Sequence, residues 1–222
     1  MSYLNIAIDG PAGAGKSTIA KAIARELGIL YLDTGAMYRA MALCALRAGV
    51  EPGDAKRVLP LLEKTDIFAR CVDGVQHTYL NGEDVSGLIR TPAVSKGASD
   101  IGVIPAVRVK LADTQRKVAM ENDVVMDGRE IGSYVIPQTP NKFYVTASVE
   151  ERARRRLAEL RAKGQYADVT PEAMQAEIAA RDHTDSTREF APLIKVENAI
   201  LIDTTDMDVQ EAVQAVLARL KR

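Results

Sequence analysis

Five short apolar runs, rich in β-branched and aromatic residues, recur along the 222-residue chain. They lie at Asn5–Asp9, Leu30–Asp33, Asp123–Asp127, Lys142–Thr146 and Ala199–Asp203. Unbroken apolar character over about five residues is typical of strands that are covered on both faces, as in a parallel sheet. The pattern therefore predicts a five-stranded parallel sheet.

Four of these runs end in an aspartate, at Asp9, Asp33, Asp127 and Asp203. Ligands of open α/β sheets bind beyond the carboxyl ends of the strands, so we expect these carboxylates to lie near a ligand crevice. An alternative for Asp9 and Asp203 is that they cap the turns that follow them.

Helical periodicity fills the intervals between the predicted strands. Apolar residues recur every four positions within residues 19–27, and Gly28 stands where that helix would end. Asp208 and Glu211 form a capping box that begins the last predicted helix. Strands that alternate with helices predict a doubly wound α/β fold.

Residues 66–85 interrupt this alternation. They carry Asp73-Gly74 and Asn81-Gly82, two dipeptides that are strongly favoured in tight hairpin turns. We predict a small antiparallel meander here, inserted into the α/β frame and followed by helices up to about residue 120.

The loop after the first predicted strand fits the pattern G-x-x-x-x-G-K-[ST] and precedes an amphipathic helix. The loop is predicted to hold a nucleoside triphosphate and comprises Gly10, Pro11, Ala12, Gly13, Ala14, Gly15, Lys16, Ser17 and Thr18. Small residues let backbone N–H groups converge on phosphate oxygens, and the helix adds its positive end. Lys16 is expected to reach the β- and γ-phosphates, and the Ser17 hydroxyl to bind Mg²⁺.

Composition narrows the class of protein. The chain is 47% hydrophobic and 27% charged with a formal net charge of −1, so it lacks the basic excess of a nucleic-acid-binding surface. Cys44 and Cys71 lack metal-ligand spacing and indicate a reduced, intracellular setting. The chain has no apolar run of about 18 residues and no signal-peptide pattern, so we expect a cytoplasmic protein without membrane contact.

Three uses of a triphosphate compete: a GTP switch, an ATP-driven motor and a kinase for a small acceptor. A switch would require N-K-x-D, and NKFY at 141–144 lacks the aspartate; a helicase-like motor would be larger and more basic. Residues 152–163, RARRRLAELRAK, hold six basic residues and one acid. This segment is either a solvated helix face or a source of cationic stabilisation for phosphoryl transfer.

An acceptor that is itself a phosphate would need no general base, because its oxygen is already anionic at neutral pH. The chain has only two histidines, His77 and His183, and neither lies in a context typical of a catalytic site. The histidine content therefore agrees with phosphoryl transfer to a phosphate.

Six segments together resemble the bacterial cytidylate kinase family, in that family's order and over nearly the whole chain. They are GPAGAGKST (10–18), YLDTGAMYRA (31–40), SDIGVIPAVR (99–108), VVMDGREIGSYVIP (124–137), TASVEERARRRLAEL (146–160) and RDHTDSTREFAPL (181–193). Many nucleotide-binding proteins share the first segment. The D-G-R-x-I-G and R-D-x-x-D-x-x-R-x-x-A-P-L patterns are much more specific.

The resemblance implies a single P-loop NTPase domain spanning residues 1–222. Its core would comprise residues 1–62, 120–150 and 191–222, with a monophosphate-binding insert of antiparallel β-strands and helices at 63–119 and a helical lid at 151–190. The implied activity is transfer of the γ-phosphoryl group of ATP to CMP or dCMP by a monomer that uses Mg²⁺.

The resemblance also assigns the acceptor nucleotide to a set of residues by position. This set is Thr34, Arg39, Ser99, Arg108, Asp127, Arg129, Glu130, Arg181, Asp185 and Arg188. Arg39, Arg129 and Arg181 are implied to surround the phosphate and sugar. Asp185 is implied to accept hydrogen bonds from ribose hydroxyls.

The cytosine ring is assigned to Ser99, Arg108 and Glu130, with Arg188 near both base and phosphate. A carboxylate can accept a hydrogen bond from the exocyclic amine of cytosine. The family usually has Asp where Glu130 stands, and the extra methylene is either absorbed by a small backbone shift or weakens the contact with the base. Thr34 stands where the family often has Ser, and it retains the hydroxyl.

Catalysis is assigned to Lys16, Arg129, Arg152 and Arg156, the last two in a mobile lid that closes over ATP. Asp127 either holds a Mg²⁺-bound water or bonds to Arg129.

The competing functions are a kinase of the same build that acts on UMP or another small acceptor, a regulatory ATP-binding protein without transfer activity, and a nucleic-acid-binding protein.

Overall fold

Five parallel strands form the central sheet of this chain, of which a computed structural model describes residues 3–162, 164 and 166–221. The strands are β1 (Asn5–Asp9), β2 (Leu30–Asp33), β6 (Val124–Gly128), β7 (Asn141–Thr146) and β8 (Ile200–Asp203). Their order across the sheet is β2-β6-β1-β7-β8. The predicted five-stranded parallel sheet is confirmed.

Strand β6 begins and ends one residue later than predicted, and β7 begins one residue earlier. The ladder of β6 continues through Gly128, which pairs with Asp9. The register also places Asp33 opposite Asp127. Three of the aspartates that end the predicted strands thus lie together at one edge of the sheet.

Helices cover the central sheet on both faces. Among the described residues, the α-helices are α1 (Lys16–Leu27), α2 (Thr34–Arg47), α3 (Ala55–Lys64), α4 (Pro92–Ile101), α5 (Pro105–Glu121), α6 (Val149–Ala162), α7 (Pro171–Thr187) and α8 (Val209–Leu217). Side chains of a strand alternate between faces. Accordingly, Ile6 and Ile8 of β1 pack with α1 and α8, whereas Ala7 packs with α5.

The predicted helix ends are confirmed at two places. Helix α1 ends at Leu27, and Gly28 follows it with a left-handed φ of 67°. Such a conformation costs glycine little because it has no Cβ. Helix α8 begins with the capping box of Asp208 and Glu211.

A second, antiparallel sheet consists of β3 (Ile67–Val72), β4 (Val75–Leu80) and β5 (Glu83–Asp84). Its two turns fall at Asp73-Gly74 and Asn81-Gly82, and all four residues have φ between 51° and 84°. Positive φ at both central positions is the geometry of a type I′ hairpin turn. The predicted meander and its turns are confirmed.

Two further cores support the parts that flank the sheet. Met41 of α2 packs with Val58, Leu80, Val94 and Ile101, which joins α2 to the antiparallel sheet and its neighbouring helices. A separate cluster between α6 and α7 consists of Ala153, Leu157, Leu160, Met174 and Ile178. The limits proposed for core, insert and lid stay predictions.

Candidate active site

The glycine-rich loop joins the end of β1 to the start of α1. Gly10 has φ 147° and lies so close to β7 that a Cβ there would collide with the carbonyl oxygen of Val145. Gly13 and Gly15 have φ 76° and 85°, which glycine adopts without strain. Helix α1 begins at Lys16, so its first N–H groups are directed toward the space that a phosphate would enter.

Lys16 is buried beside this loop. Its Nζ donates a hydrogen bond to the carbonyl oxygen of Pro11 at 2.7 Å. Burial, followed by the charge of Arg129, lowers the pKa of Lys16 well below its usual value. A neighbouring phosphate favours the charged ammonium, because opposite charge counteracts both effects.

Asp127, near the end of β6, accepts hydrogen bonds from two hydroxyl groups. Ser17 Oγ donates to Oδ2 at 2.7 Å, and Tyr31 Oη donates to Oδ1 at 2.8 Å. Burial, followed by the charge of Asp33, raises the pKa of Asp127. Mg²⁺ prefers oxygen ligands and usually keeps waters and substrate phosphates in its shell. The hydroxyl of Ser17 and the carboxylate of Asp127 therefore fit this ion.

Asp33, at the end of β2, connects the central sheet to the antiparallel sheet. Its carboxylate caps α2 through Ala36 N at 2.9 Å and pairs with Arg39 at 2.8 Å and Arg90 at 2.7 Å. Burial opposes ionisation, but the two guanidinium groups hold the pKa of Asp33 below its usual value. Gln76 of β4 brackets the Asp33 backbone, accepting from its N–H at 2.6 Å and donating to its carbonyl at 3.2 Å.

Asp185, on α7, lies among several arginines. Arg129 Nε donates to Oδ2 at 2.8 Å, and Arg188 Nη1 donates to Oδ1 at 3.0 Å. Burial opposes ionisation, but Arg129 and Arg181 hold the pKa of Asp185 below its usual value. Burial, followed by the charge of Arg129, lowers the pKa of Arg181 to about 10. Of the two arrangements expected for Asp127, the bond to Arg129 is wrong, since Arg129 pairs with Asp185.

Glu130 is buried directly after β6 and is held from three elements. Arg108 of α5 contacts Oε1 at 2.5 Å, and Tyr38 of α2 donates to the same oxygen at 2.8 Å. Arg188 approaches Oε2 at 3.4 Å. Arg108 also donates to the Gly102 carbonyl at 2.8 Å, which ties this cluster to the end of α4.

Arg152, on α6, is buried against the phosphate loop. Its Nη1 donates to the carbonyl oxygen of Ala12 at 3.1 Å and pairs with Asp182 of α7 at 2.6 Å. Arg156 pairs with Glu159 of the same helix at 3.0 Å. Within the arginine-rich segment, Arg152 thus contacts the loop, and the interpretation as a wholly solvated face is wrong for it.

Three guanidinium groups of the candidate site carry an unpaired donor. In the described part of the chain, the Nε atoms of Arg39, Arg108 and Arg181 are buried and have no hydrogen-bond partner. Buried donors are normally paired, because an unpaired one costs its full desolvation free energy. These arginines come from α2, α5 and α7, and an anionic or carbonyl-bearing ligand could supply the acceptors.

Three other predicted residues have less direct positions. The Thr34 hydroxyl donates to the carbonyl oxygen of Asp127 at 2.7 Å, which fixes the start of α2 to β6. Ser99 is half-buried on α4. Lys163, the last residue of the arginine-rich segment, lies outside the described residues.

Aspartates at the other two strand ends act through turns. Asp9 accepts from the N–H groups of Ile131 and Gly132 at 2.8 and 2.7 Å. These residues begin a π-helical turn, Ile131–Val135, directly after Glu130. Asp203 accepts from Thr205 N at 3.0 Å. The capping alternative is therefore confirmed for Asp203. For Asp9 it is wrong, because Asp9 caps the turn after β6 and not the loop that follows Asp9 itself.

Sequence reasoning missed Tyr38, Arg90 and Asp182, although each contacts a predicted site residue. Tyr38 carries a detectable signal: it lies four residues after Thr34 and thus on the same face of α2. Asp182 directly follows Arg181 in a segment already singled out. Arg90 follows the meander with no local pattern that predicts its contact with Asp33.

Within the described part of the chain, the helices lack the length and apolar character that a bilayer crossing requires.

Comparisons with known proteins agree with this geometry. A solved structure from Chloroflexus aurantiacus, 15% identical, covers 100% of both chains with a TM-score of 0.50, a likeness of fold alone.

Sequence relatives give the family. A cytidylate kinase from Symbiobacterium thermophilum is 49% identical over 220 residues, covering 99% of this chain and 96% of that protein. One from Caldicellulosiruptor bescii is 49% identical over 217 residues, covering 98% and 95%. The family model described as Cytidylate kinase matches residues 6–222. The chain therefore belongs to the cytidylate kinase family.

Proposed function

We propose that this chain transfers the γ-phosphoryl group of ATP to CMP or dCMP, forming CDP or dCDP, and acts as a monomer with Mg²⁺. The observation that carries the proposal is the proximity of two charged clusters. Arg152 joins them, because it donates to Ala12 of the phosphate loop and pairs with Asp182, the neighbour of Arg181 on α7. A donor polyphosphate on the loop and an acceptor phosphate among the arginines would therefore face each other.

The transfer needs positioning and positive charge more than proton transfer. An acceptor phosphate already carries an anionic oxygen, and charge develops on the transferred group's equatorial oxygens. Lys16, Arg129, Arg152 and Arg156 are proposed to stabilise that charge. Mg²⁺, when bound near Ser17 and Asp127, would neutralise phosphate charge.

The acceptor's phosphate and sugar are proposed to bind Arg39, Arg129 and Arg181, with Asp185 accepting from the ribose hydroxyls. Arg39 and Arg181 support this role with buried Nε–H groups that lack partners among the described residues. Arginine provides a planar fork of donors that matches phosphate oxygens.

Base reading is proposed for Arg108 and Glu130, with Ser99 and Arg188 nearby. The pair offers a donor and an acceptor side by side in a buried position, since Arg108 and Glu130 are 2% and 4% exposed. Cytosine presents an amine donor next to acceptor atoms, so it complements this pair.

Water must be excluded, because hydrolysis of ATP competes with transfer. We propose that the insert at 63–119 and the lid at 151–190 close over the two nucleotides. Arg152 supports this role because it already bonds the phosphate loop and α7.

A coupled assay with ATP and each of CMP, dCMP, UMP and AMP tests the proposal. We expect the highest kcat/KM with CMP or dCMP, and ADP and CDP in equal amounts. Lys16→Ala should lower kcat by about 10³-fold or more, since a transition-state charge is lost. Lys117→Ala, on the exposed face of α5, is the matched control and should leave kcat unchanged. A preference for AMP, or ADP release without CDP, contradicts the proposal.

A further inference from the structure

Tyr38 is a buried phenol in contact with both groups proposed to read the base. It lies on α2 and is 9% exposed. Its hydroxyl donates to Oε1 of Glu130 at 2.8 Å. Its ring lies against Arg108, whose Cζ is 5.4 Å from the ring centroid. One side chain therefore touches the carboxylate and the guanidinium at once.

The two oxygens of Glu130 have unequal partners. Oε1 receives both Tyr38 Oη at 2.8 Å and Arg108 Nη2 at 2.5 Å. Oε2 has a long contact with Arg188, at 3.4 Å. A carboxylate oxygen offers about two lone-pair sites, so Oε1 is saturated while Oε2 keeps capacity for a further donor.

Tyr38 can serve only as a donor in this contact. Burial, followed by the charge of Glu130, raises the pKa of Tyr38 well above its usual value, so the phenol keeps its proton. The hydroxyl has one proton, and it is directed at Oε1. The contact therefore orients the carboxylate.

Orientation matters more for a glutamate than for an aspartate. Glu130 has one more rotatable bond than the aspartate usual in the family, and each free torsion costs entropy when a ligand fixes it. Restraint of Oε1 by Tyr38 and Arg108, which come from α2 and α5, removes that freedom before the ligand binds.

We propose that Tyr38 is a positioning residue that, with Arg108, fixes Oε1 of Glu130 so that Oε2 selects a base carrying an exocyclic amine. An amine donates to Oε2. A base with a carbonyl at that place sets its lone pairs against the carboxylate, which is repulsive. This inference rests on the proposed function, because it concerns the same acceptor site.

The test compares Tyr38→Phe with the wild type, using CMP and UMP on the same preparation. We expect the ratio of kcat/KM for CMP to that for UMP to fall about tenfold, mainly through a higher KM for CMP. The KM for ATP should change less than about twofold, because Tyr38 acts on the acceptor site. This ratio does not depend on the fraction of folded enzyme, so a partly unfolded variant still gives an answer.

Two further variants separate positioning from general structure. The ring of Tyr79 stacks on Phe68 in the antiparallel sheet. Tyr79→Phe therefore removes a hydroxyl away from Glu130 and should leave the CMP-to-UMP ratio of kcat/KM unchanged. In a Glu130→Gln background, Tyr38→Phe should change the ratio by less than about twofold, because the group through which it acts is already altered.

The outcomes distinguish the two proposals. If the wild type prefers CMP and Tyr38→Phe retains that ratio, only the role of Tyr38 is refuted. An equal fall of the ratio in both backgrounds refutes action through Glu130. A wild type that forms no CDP refutes the proposed function and this inference with it.

Discussion

At the residue scale, the candidate site depends on buried charges whose partners come from distant elements. Asp9 is one of them: it holds the backbone of Ile131 and Gly132, just after Arg129 and Glu130. Burial raises its pKa to about 6, although the two N–H donors act in the opposite direction. The carboxylate that shapes the turn is therefore also a cost to the folded state.

Asp9 makes a pH-dependent contribution to stability with a defined sign. Its pKa rises from 3.8 to about 6 on folding, so the folded state binds the proton more tightly. The free energy of unfolding contributed by Asp9 then falls as pH rises between these values, by about 3 kcal/mol in total. Denaturant unfolding of the wild type and of Asp9→Asn should be measured at several pH values. The free energy of unfolding of the wild type minus that of the variant should fall as the pH rises. A difference that stays constant from pH 4 to about 7 contradicts it.

Arg181→Ala should impair use of CMP far more than use of ATP. Arg181 lies beside Arg129 and Asp185 and carries a buried Nε–H without a partner among the described residues. Loss of a charge-assisted hydrogen bond predicts a rise of about 10- to 100-fold in the KM for CMP. The KM for ATP should change less than about threefold.

The matched control for Arg181→Ala is Arg154→Ala. Arg154 has a side chain that is 69% exposed and pairs with Glu151 on the surface of α6. Steady-state kinetics with each substrate varied in turn provides the comparison. Equal loss of affinity for both nucleotides in Arg181→Ala would refute its placement in the acceptor site.

The chemistry of the phosphate loop could be predicted from the sequence, because a local motif defines it. Lys16 and Ser17 directly follow glycines with positive φ, and the whole motif lies within nine consecutive residues, 10–18. The residues proposed to bind the acceptor nucleotide are not defined by a local motif. Pairs such as Asp33–Arg90 join residues far apart in the chain, and such contacts depend on tertiary packing. Strand ends indicated Asp33 and Asp127, and resemblance to a family indicated the arginines and Asp185, but neither singled out Tyr38.

Among the helices and strands, apolar runs predicted the central strands and turn dipeptides predicted the meander, because each of these signals lies within one short segment. Strand β6 ends one residue later than predicted, at Gly128, because its hydrogen-bonded ladder with β1 continues to that residue. The π-helical turn Ile131–Val135 had no sequence signal, since it depends on Asp9 from another strand. The pairing of α6 with α7 is likewise a tertiary property.

Helices α6 and α7 are held together by a small apolar cluster. A cavity created in that cluster should therefore destabilise both helices. Met174 is fully buried there, against Ala153, Leu157, Leu160 and Ile178. Met174→Ala should destabilise this pair by about 2–5 kcal/mol. Hydrogen exchange should then accelerate in α6 and α7 but not in the central sheet, and the KM for ATP should rise.

Glu177→Ala, exposed on α7, is the control for the cavity variant. It leaves the cluster intact and should alter neither exchange nor the KM for ATP. Uniform acceleration of exchange across the whole chain in Met174→Ala would mean that α6 and α7 unfold only together with the sheet.

At the scale of the whole molecule, charge is distributed unevenly. The net charge is −1, yet arginines from four helices and from the end of β6 lie close together at the candidate site. Such a cluster attracts anions at long range, and salt screens this attraction over about 8–10 Å at ordinary ionic strength.

Raising the salt concentration should therefore raise the KM for CMP. Measurement at about 0.02 M and about 0.5 M NaCl with saturating ATP should show this increase, with a smaller change in kcat. Repeating the series with sodium acetate in place of chloride controls for specific competition by the anion. A KM for CMP that is independent of ionic strength would contradict the electrostatic account.

Asp33 has a mechanical consequence for the molecule. Arg39 of α2 and Arg90 pair with its carboxylate, while Gln76 of β4 bonds its backbone N–H. A nucleotide phosphate that draws Arg90 away from Asp33 would weaken one of the contacts that link the two sheets. We expect substrate arrival and rigid-body rotation of the smaller sheet to be one coupled event, which a fluorophore on β4 would register as a single relaxation.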